Sequence, residues 1–361
     1  MISTPPIRLT NIQALRGVAA LFVLVFHIFE WHRLAQIGNV SSGTFPNFMS
    51  KGFLGVDLFF VISGFIIVYV TRAKGEGVRT AKAFLISRAT RIYPLWWFYA
   101  GLMALYFWAA YGLPVDMARL EDGQGIVSYL LKSFLLFPQE GAPVLGLGWS
   151  LIHEMYFYVV FAVILLLPKK YLGLSLTVWG VCVILGASLG LAKPVATGFV
   201  TLIFSPLILE FLAGACVGLF VCQGFYKYAK IAGCLGIIVF LVLISPWAGN
   251  LDNTLPYGRV ILFTIPLSLW VYSGAVLDLT RGYKPPKSLV SIGDWSYSLY
   301  LSHVLVLSAV KRSLEKFGVG FQNVGPWDEG VFFALCLGLA VLVAALSYRY
   351  IERPLIRYFR T

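Results

Sequence analysis
Ala14-Leu15-Arg16-Gly17-Val18-Ala19-Ala20-Leu21-Phe22-Val23-Leu24-Val25-Phe26-His27-Ile28-Phe29 is an apolar run broken by one guanidinium and one imidazole. With its flanks, about 12–31, it has the ~20 apolar residues that a helix needs to cross a hydrocarbon core. Arg8 and Arg16 in front give it the look of a secretion signal. It ends, however, in Glu30-Trp31-His32-Arg33 without a small-x-small cleavage site, so it predicts a retained first membrane helix. Nine more such stretches follow, near 52–71, 92–112, 148–168, 171–190, 198–221, 231–247, 259–279, 293–311 and 328–349. The expected fold is an all-α membrane protein, a single bundle of about ten transmembrane helices. The stretch Ile126–Phe137 is shorter, carries Lys132 and stops at Pro138, which predicts an interfacial or re-entrant helix.

Composition agrees with this reading. The 361 residues are 59% hydrophobic and 12% charged, with mean hydropathy +0.82. A soluble domain is about 45–50% apolar and about 25% charged, so a water-soluble enzyme is excluded. The net charge of +12 does not point to nucleic acid, because the basic residues punctuate the apolar runs instead of clustering. With the N-terminus in the cytoplasm, nineteen of the 28 Lys and Arg fall inside, which predicts both termini cytoplasmic. The five cysteines form no CxxC and have no His at ligand spacing, so no metal is expected. No connection is long enough for a soluble domain. Residues 10–356 read as one membrane domain between short tails, 1–9 and 357–361.

An ionisable side chain at a helix centre costs ~2.5–3.5 kcal/mol on insertion scales, and therefore marks a candidate site. Arg16 and His27 are eleven residues apart, so they share a helix face to within ~20° and are separated by ~16.5 Å along the axis. A desolvated imidazole stays neutral and can take a proton from a hydroxyl; the plain alternative is an interfacial histidine above a boundary arginine. Arg88 and Arg91, an i,i+3 pair read as the start of the third span, can grip phosphates or simply anchor the inner boundary. Asp57, opening the second helix, reads as a cap or dipole partner. Glu154, with Ser150 one turn before it, suits either an orienting contact to a histidine from another helix or pairing with a basic residue. Glu210 is embedded without a pattern around it. His303, about ten residues into the ninth span, reads as a packing or a site histidine.

In chain order these segments are Arg16-x10-His27, Gly55-Val-Asp57-Leu-Phe-Phe-Val-Ile-Ser63-Gly64, Arg88-x-x-Arg91-Ile-Tyr-Pro94, Trp149-Ser150-Leu-x-x-Glu154, Trp295-Ser-Tyr-Ser-Leu-Tyr300-Leu-Ser-His303 and Tyr350-Ile-Glu352-Arg353-Pro354. The set resembles the acyltransferase-3 family of bacterial integral-membrane O-acyltransferases, over about residues 10–356. The resemblance implies a multi-pass protein of the bacterial inner membrane, in contact with membrane lipids. It would move an acyl group, acetyl above all, from cytoplasmic acetyl-CoA or another acyl-CoA to a carbohydrate hydroxyl, including lipid-linked sugars. It also implies that Arg16 and His27 serve acyl transfer and that Arg88 and Arg91 handle acyl-CoA. Glu154 with Ser150 would then hold the imidazole tautomer, and Asp57 and His303 are supporting candidates. The expected architecture is one without an SGNH-type hydrolase domain, which favours an exopolysaccharide or O-antigen acetylase. The competing class is a transporter or flippase of lipid-linked sugars, since embedded Arg, His and Glu also suit transport.

Overall fold
The computed structural model describes residues 8–35, 47–116, 120, 125–192, 197–245, 257–316 and 326–360, and every described element is helical. In chain order the helices are α1 Thr10–Ala35, α2 Leu54–Thr71, α3 Val78–Tyr111, α4 Ile126–Phe134 and α5 Gly148–Ile164. Then follow α6 Leu172–Ser188, α7 Phe199–Ile203, α8 Ile208–Cys222, α9 Ala229–Ile244 and α10 Gly258–Leu279. The last are α11 Lys287–Asp294, α12 Ser296–Lys316, α13 Pro326–Ser347 and α14 Arg353–Arg360, with a π-helical turn at Tyr348–Glu352.

Among the described residues six segments are long and apolar enough to cross a membrane: Thr10–Trp31, Phe48–Thr71, Lys169–Ser188, Phe199–Cys222, Gly258–Leu279 and Gly330–Phe359. The chain is a multi-pass membrane protein. Two more expected spans are apolar but short, α5 with 17 residues and α9 with 16. The remaining two fall on α3 and α12: Trp and Tyr dilute the hydropathy of α3, with Trp97, Trp108 and Tyr111 on its exposed side, while α12 turns Ser296, Ser298, Ser302 and His303 inward. The 126–137 stretch forms only the nine-residue α4, held to α3 by Trp96 Nε1 and Trp97 Nε1, which donate to the carbonyls of Ser133 and Phe134 at 3.2 and 3.0 Å.

Two expectations need correction. The third span does not start near residue 92: α3 begins at Val78 and places Arg88 and Arg91 well inside the helix. The turn before it is closed by Gly77 at φ +89°, which a residue with a Cβ adopts only under strain. Pro94 then rides within α3, since it removes only the bond to the Thr90 carbonyl. Asp57 is likewise not a cap. Its carboxylate is fully buried and accepts three bonds of 2.8–3.1 Å from Arg259 of α10. The 3-10 turn Asn47–Phe53 runs straight into α2, so the first amides of that helix need no side-chain cap. Glu210, also fully buried, lies beside this ion pair.

Without a hydrophobic drive between helices in lipid, close backbone approach at small residues holds a bundle together. A Cβ on Gly64 of α2 would run into the Phe211 carbonyl of α8, and one on Gly214 of α8 into the Val61 carbonyl of α2. Gly17 and Gly293 likewise bring α1 and α11 together. The start of α1 is capped from another helix. Asp278 of α10 accepts from the Asn11 and Ile12 amides, the Thr10 hydroxyl and the Asn11 side chain at 2.8–3.3 Å. This fastens the N-terminal end of α1 beside the arginines described next.

Candidate active site
Five helices, α1, α2, α3, α5 and α12, enclose a cavity of about 320 Å3. Its wall on α2 runs from Val56 to Val70, a rise of ~21 Å at ~1.5 Å per residue. That is roughly two-thirds of a ~30 Å hydrocarbon core. One end carries Arg8 and Tyr69, and the other is lined by Val56, Ser150 and Tyr300.

Arg16, Arg88 and Arg91 all line this cavity. Arg16 comes from α1, and the other two lie one turn apart on α3. Among the described residues none of the three makes a salt bridge. Arg16 donates only to Gln13 Oε1 at 3.2 Å, and the Arg88 Nε is buried without a hydrogen-bond partner. The carboxylates nearby are engaged by hydroxyls instead. Glu154 Oε1 accepts from Ser63 Oγ at 3.0 Å and from Tyr158, while Glu352 Oε2 accepts from Ser298 Oγ at 2.6 Å. The space therefore carries an excess of fixed positive charge at low dielectric, where an anion gains most.

The wall is braced by polar contacts between helices. Tyr297 Oη of α12 donates to the Ile92 carbonyl of α3 at 2.8 Å. Tyr99 Oη donates to Ser347 Oγ at 2.7 Å, just before the π-helical turn. That turn has a physical cause: Pro354 has no N–H for the Tyr350 carbonyl, and Arg353 N–H reaches back to Tyr348 O, five residues away. The widened turn carries Glu352.

At the far end, Ser150 Oγ and Tyr300 Oη are 2.7 Å apart, and Tyr300 Oη donates to the Leu147 carbonyl at 3.1 Å. Tyr300 also meets the ring of His303, with centroids 6.1 Å apart, and His303 meets His27 at 4.8 Å. His27 and His303 thus lie next to the Tyr300 end and are not among the residues that line the cavity. His27 is half-buried and His303 is 1% exposed. The His27 Nδ1 lies 2.8 Å from the Val23 carbonyl and 3.3 Å from His303 Nε2.

The structure thus gathers five of the eight expected residues, Arg16, Arg88, Arg91, Ser150 and Glu154, on one cavity. It pairs His27 and His303 next to that cavity and places Asp57 in the α2–α10 ion pair. Glu154 does not touch His27; backbone and His303 hold that imidazole. The sequence reading passed over Ser63, Tyr158 and Tyr300 as site residues. Tyr158 sits four residues after Glu154, the spacing at which helical side chains meet, and that signal was available. The pairing of Ser63 with Glu154 joins residues 91 apart, and no local spacing announces it. Among the described residues no group of three His, Cys, Asp or Glu forms a metal-binding cluster.

The acyltransferase domain model of the acyltransferase-3 family matches residues 9–349. The chain is 32% identical to the exopolysaccharide production protein ExoZ of Rhizobium meliloti over 319 residues, covering 85% of this chain and 90% of that protein. It is 34% identical to protein 2 of the picA locus of Rhizobium radiobacter over 175 residues, 45% of this chain and 85% of that protein. A Staphylococcus aureus protein with a provisional O-acetyltransferase name is 28% identical over 95% of this chain and 56% of its own length. No solved structure matches significantly. Family membership decides between enzyme and transporter: the chain belongs to the acyltransferase-3 family and is a membrane O-acyltransferase.

Proposed function
We propose that this enzyme moves an acetyl group from cytoplasmic acetyl-CoA to a hydroxyl of an exopolysaccharide sugar or its lipid-linked precursor. The observation that carries the reading is the cavity with three guanidiniums, Arg16, Arg88 and Arg91, that no carboxylate pairs. All three are half-buried, and the Arg88 Nε is buried without a partner; cations taken partly out of water gain from an anion that answers them, and guanidiniums match phosphate geometry. The phosphates of acyl-CoA supply that anion. The apolar stretch beyond, between Ile66 and Val56 on α2, suits the thin pantetheine arm. In this reading the bundle has ten spans with both termini in the cytoplasm, so the donor enters at the Arg8 end and the acceptor approaches His27 from outside. The similarity to ExoZ supports a carbohydrate acceptor.

The chemistry needs one free lone pair. A carbonyl only accepts, so the Val23 contact puts the His27 proton on Nδ1 and leaves Nε2 bare. Whether the imidazole takes a proton or an acyl group, it uses this Nε2. In direct transfer Nε2 takes the proton of the sugar hydroxyl, and the oxygen pair forms the bond to the acyl carbon. The carbon–sulfur bond breaks with its pair on sulfur, and the CoA thiolate recovers the proton from Nε2–H.

Everted membrane vesicles given radiolabelled acetyl-CoA test the reading. Wild type releases CoA and labels polysaccharide, whereas His27→Ala accumulates in the membrane and does neither. Labelling that persists at the wild-type rate in His27→Ala removes the histidine from the reaction. Wild-type vesicles that release no CoA remove acetyl-CoA as donor.

A further inference from the structure
We infer that His303 is the positioning residue of the reaction, the second half of an imidazole pair that holds His27 ready as a base. The inference rests on the acyl-transfer reading above. It begins with hydrogen-bond polarity. His303 Nδ1 lies 3.0 Å from the Leu299 carbonyl, and His27 Nδ1 lies 2.8 Å from the Val23 carbonyl. Each carbonyl accepts, so each ring carries its proton on Nδ1. His303 Nε2 is therefore a bare acceptor, and it faces His27 Nδ1 at 3.3 Å. The His27 Nδ1–H is shared between the Val23 carbonyl and His303 Nε2.

Two acceptors on one N–H fix both the tautomer and the ring plane of His27, which a single backbone contact within α1 does not. The rings meet edge to face, with an interplanar angle of 64°. Burial assigns the roles. His303 is 1% exposed and has no surface for a substrate, while His27 is half-buried and keeps Nε2 for chemistry. When His27 gains a proton at Nε2, its Nδ1–H becomes a cationic donor to His303 Nε2. Charge-assisted bonds are about twice as strong as neutral ones, so the contact tightens as the reaction proceeds. The arrangement repeats the base–orienter logic of a catalytic triad with a neutral imidazole as the orienter. Tyr300, one turn before His303 on α12, lines the far end of the cavity and hydrogen-bonds Ser150 there. One helix thus carries both the end of the donor space and the partner of the base.

The test compares amides that differ in reach. Glutamine at 303 brings its side-chain oxygen to the place of Nε2, whereas asparagine ends near Nδ1. In the vesicle assay with radiolabelled acetyl-CoA, His303→Asn and His303→Leu are expected to lower kcat about 10–100-fold, part of the ~10²–10⁴-fold that a positioned general base contributes. Their KM for acetyl-CoA stays within about twofold, since His303 touches no donor group. His303→Gln is expected to recover at least about tenfold over His303→Asn. The inference is overturned if His303→Asn turns over within about threefold of wild type, or if the Gln and Asn variants fall equally. An inactive wild type would instead count against acetyl-CoA transfer itself, so the two failures are distinct. Should the leucine variant fail to accumulate, the Gln and Asn pair decides alone.

Discussion
Each arginine of the cavity has a different claim on an anion. Arg88 is anchored by aromatic faces, with its guanidinium carbon 5.9 Å from the Phe84 ring centre and 6.0 Å from that of Tyr158. Its Nε remains without a partner, and Arg91, one turn away, faces the same space. Hydrogen bonds to charged groups contribute about 1.5–3 kcal/mol, or about 10–150-fold in affinity. Arg88→Ala and Arg91→Ala are therefore each expected to raise the KM for acetyl-CoA by at least about tenfold, with kcat nearly kept. Initial rates across acetyl-CoA concentrations measure this, and an unchanged KM would strip the pair of its proposed role. Residue types and spacing announced these arginines. Only the fold showed that they go unpaired, because an ion pair depends on neighbours far away in sequence.

At the scale of elements, the α2–α8 contact matters most, since α2 supplies the long wall of the cavity. Gly64→Ala forces a Cβ into the Phe211 carbonyl, a backbone atom that cannot swing aside. Overpacking costs typically 1–3 kcal/mol, and thermal unfolding in detergent should show a clear drop in midpoint. Gly101→Ala on α3 is the control, because nothing lies within 4 Å of its Cβ. There the helix propensity of alanine gives up to about 1 kcal/mol in favour. Equal midpoints for the two variants would contradict the packing. Apolar length predicted both helices. It did not show that α3 starts at Val78, since the basic residues of 79–91 read equally well as an inner loop and as the first turns of a helix.

For the whole molecule, the proposed chemistry needs the two substrates to arrive from opposite faces. The 34 residues of α3 span ~51 Å, enough to separate the turn at Glu76 from Asp116. In spheroplasts a membrane-impermeant thiol reagent is expected to label Asp116→Cys and spare Glu76→Cys, over the background of the five native cysteines. Everted vesicles should give the reverse. Labelling of both from one side would overturn the orientation.

The amino-acid sequence alone determined that this is a helical membrane protein, where most of its helices lie, and which family motifs it carries. Those properties follow from local hydropathy, length and short-range spacing, which need no partner to be read. Tertiary structure alone decided that Asp57 serves Arg259, that Glu154 answers Ser63 and Tyr158, and that His27 leans on His303, 276 residues away. Hydrogen bonds and ion pairs have ranges of a few ångströms. Which groups come within that range is set by how the helices pack.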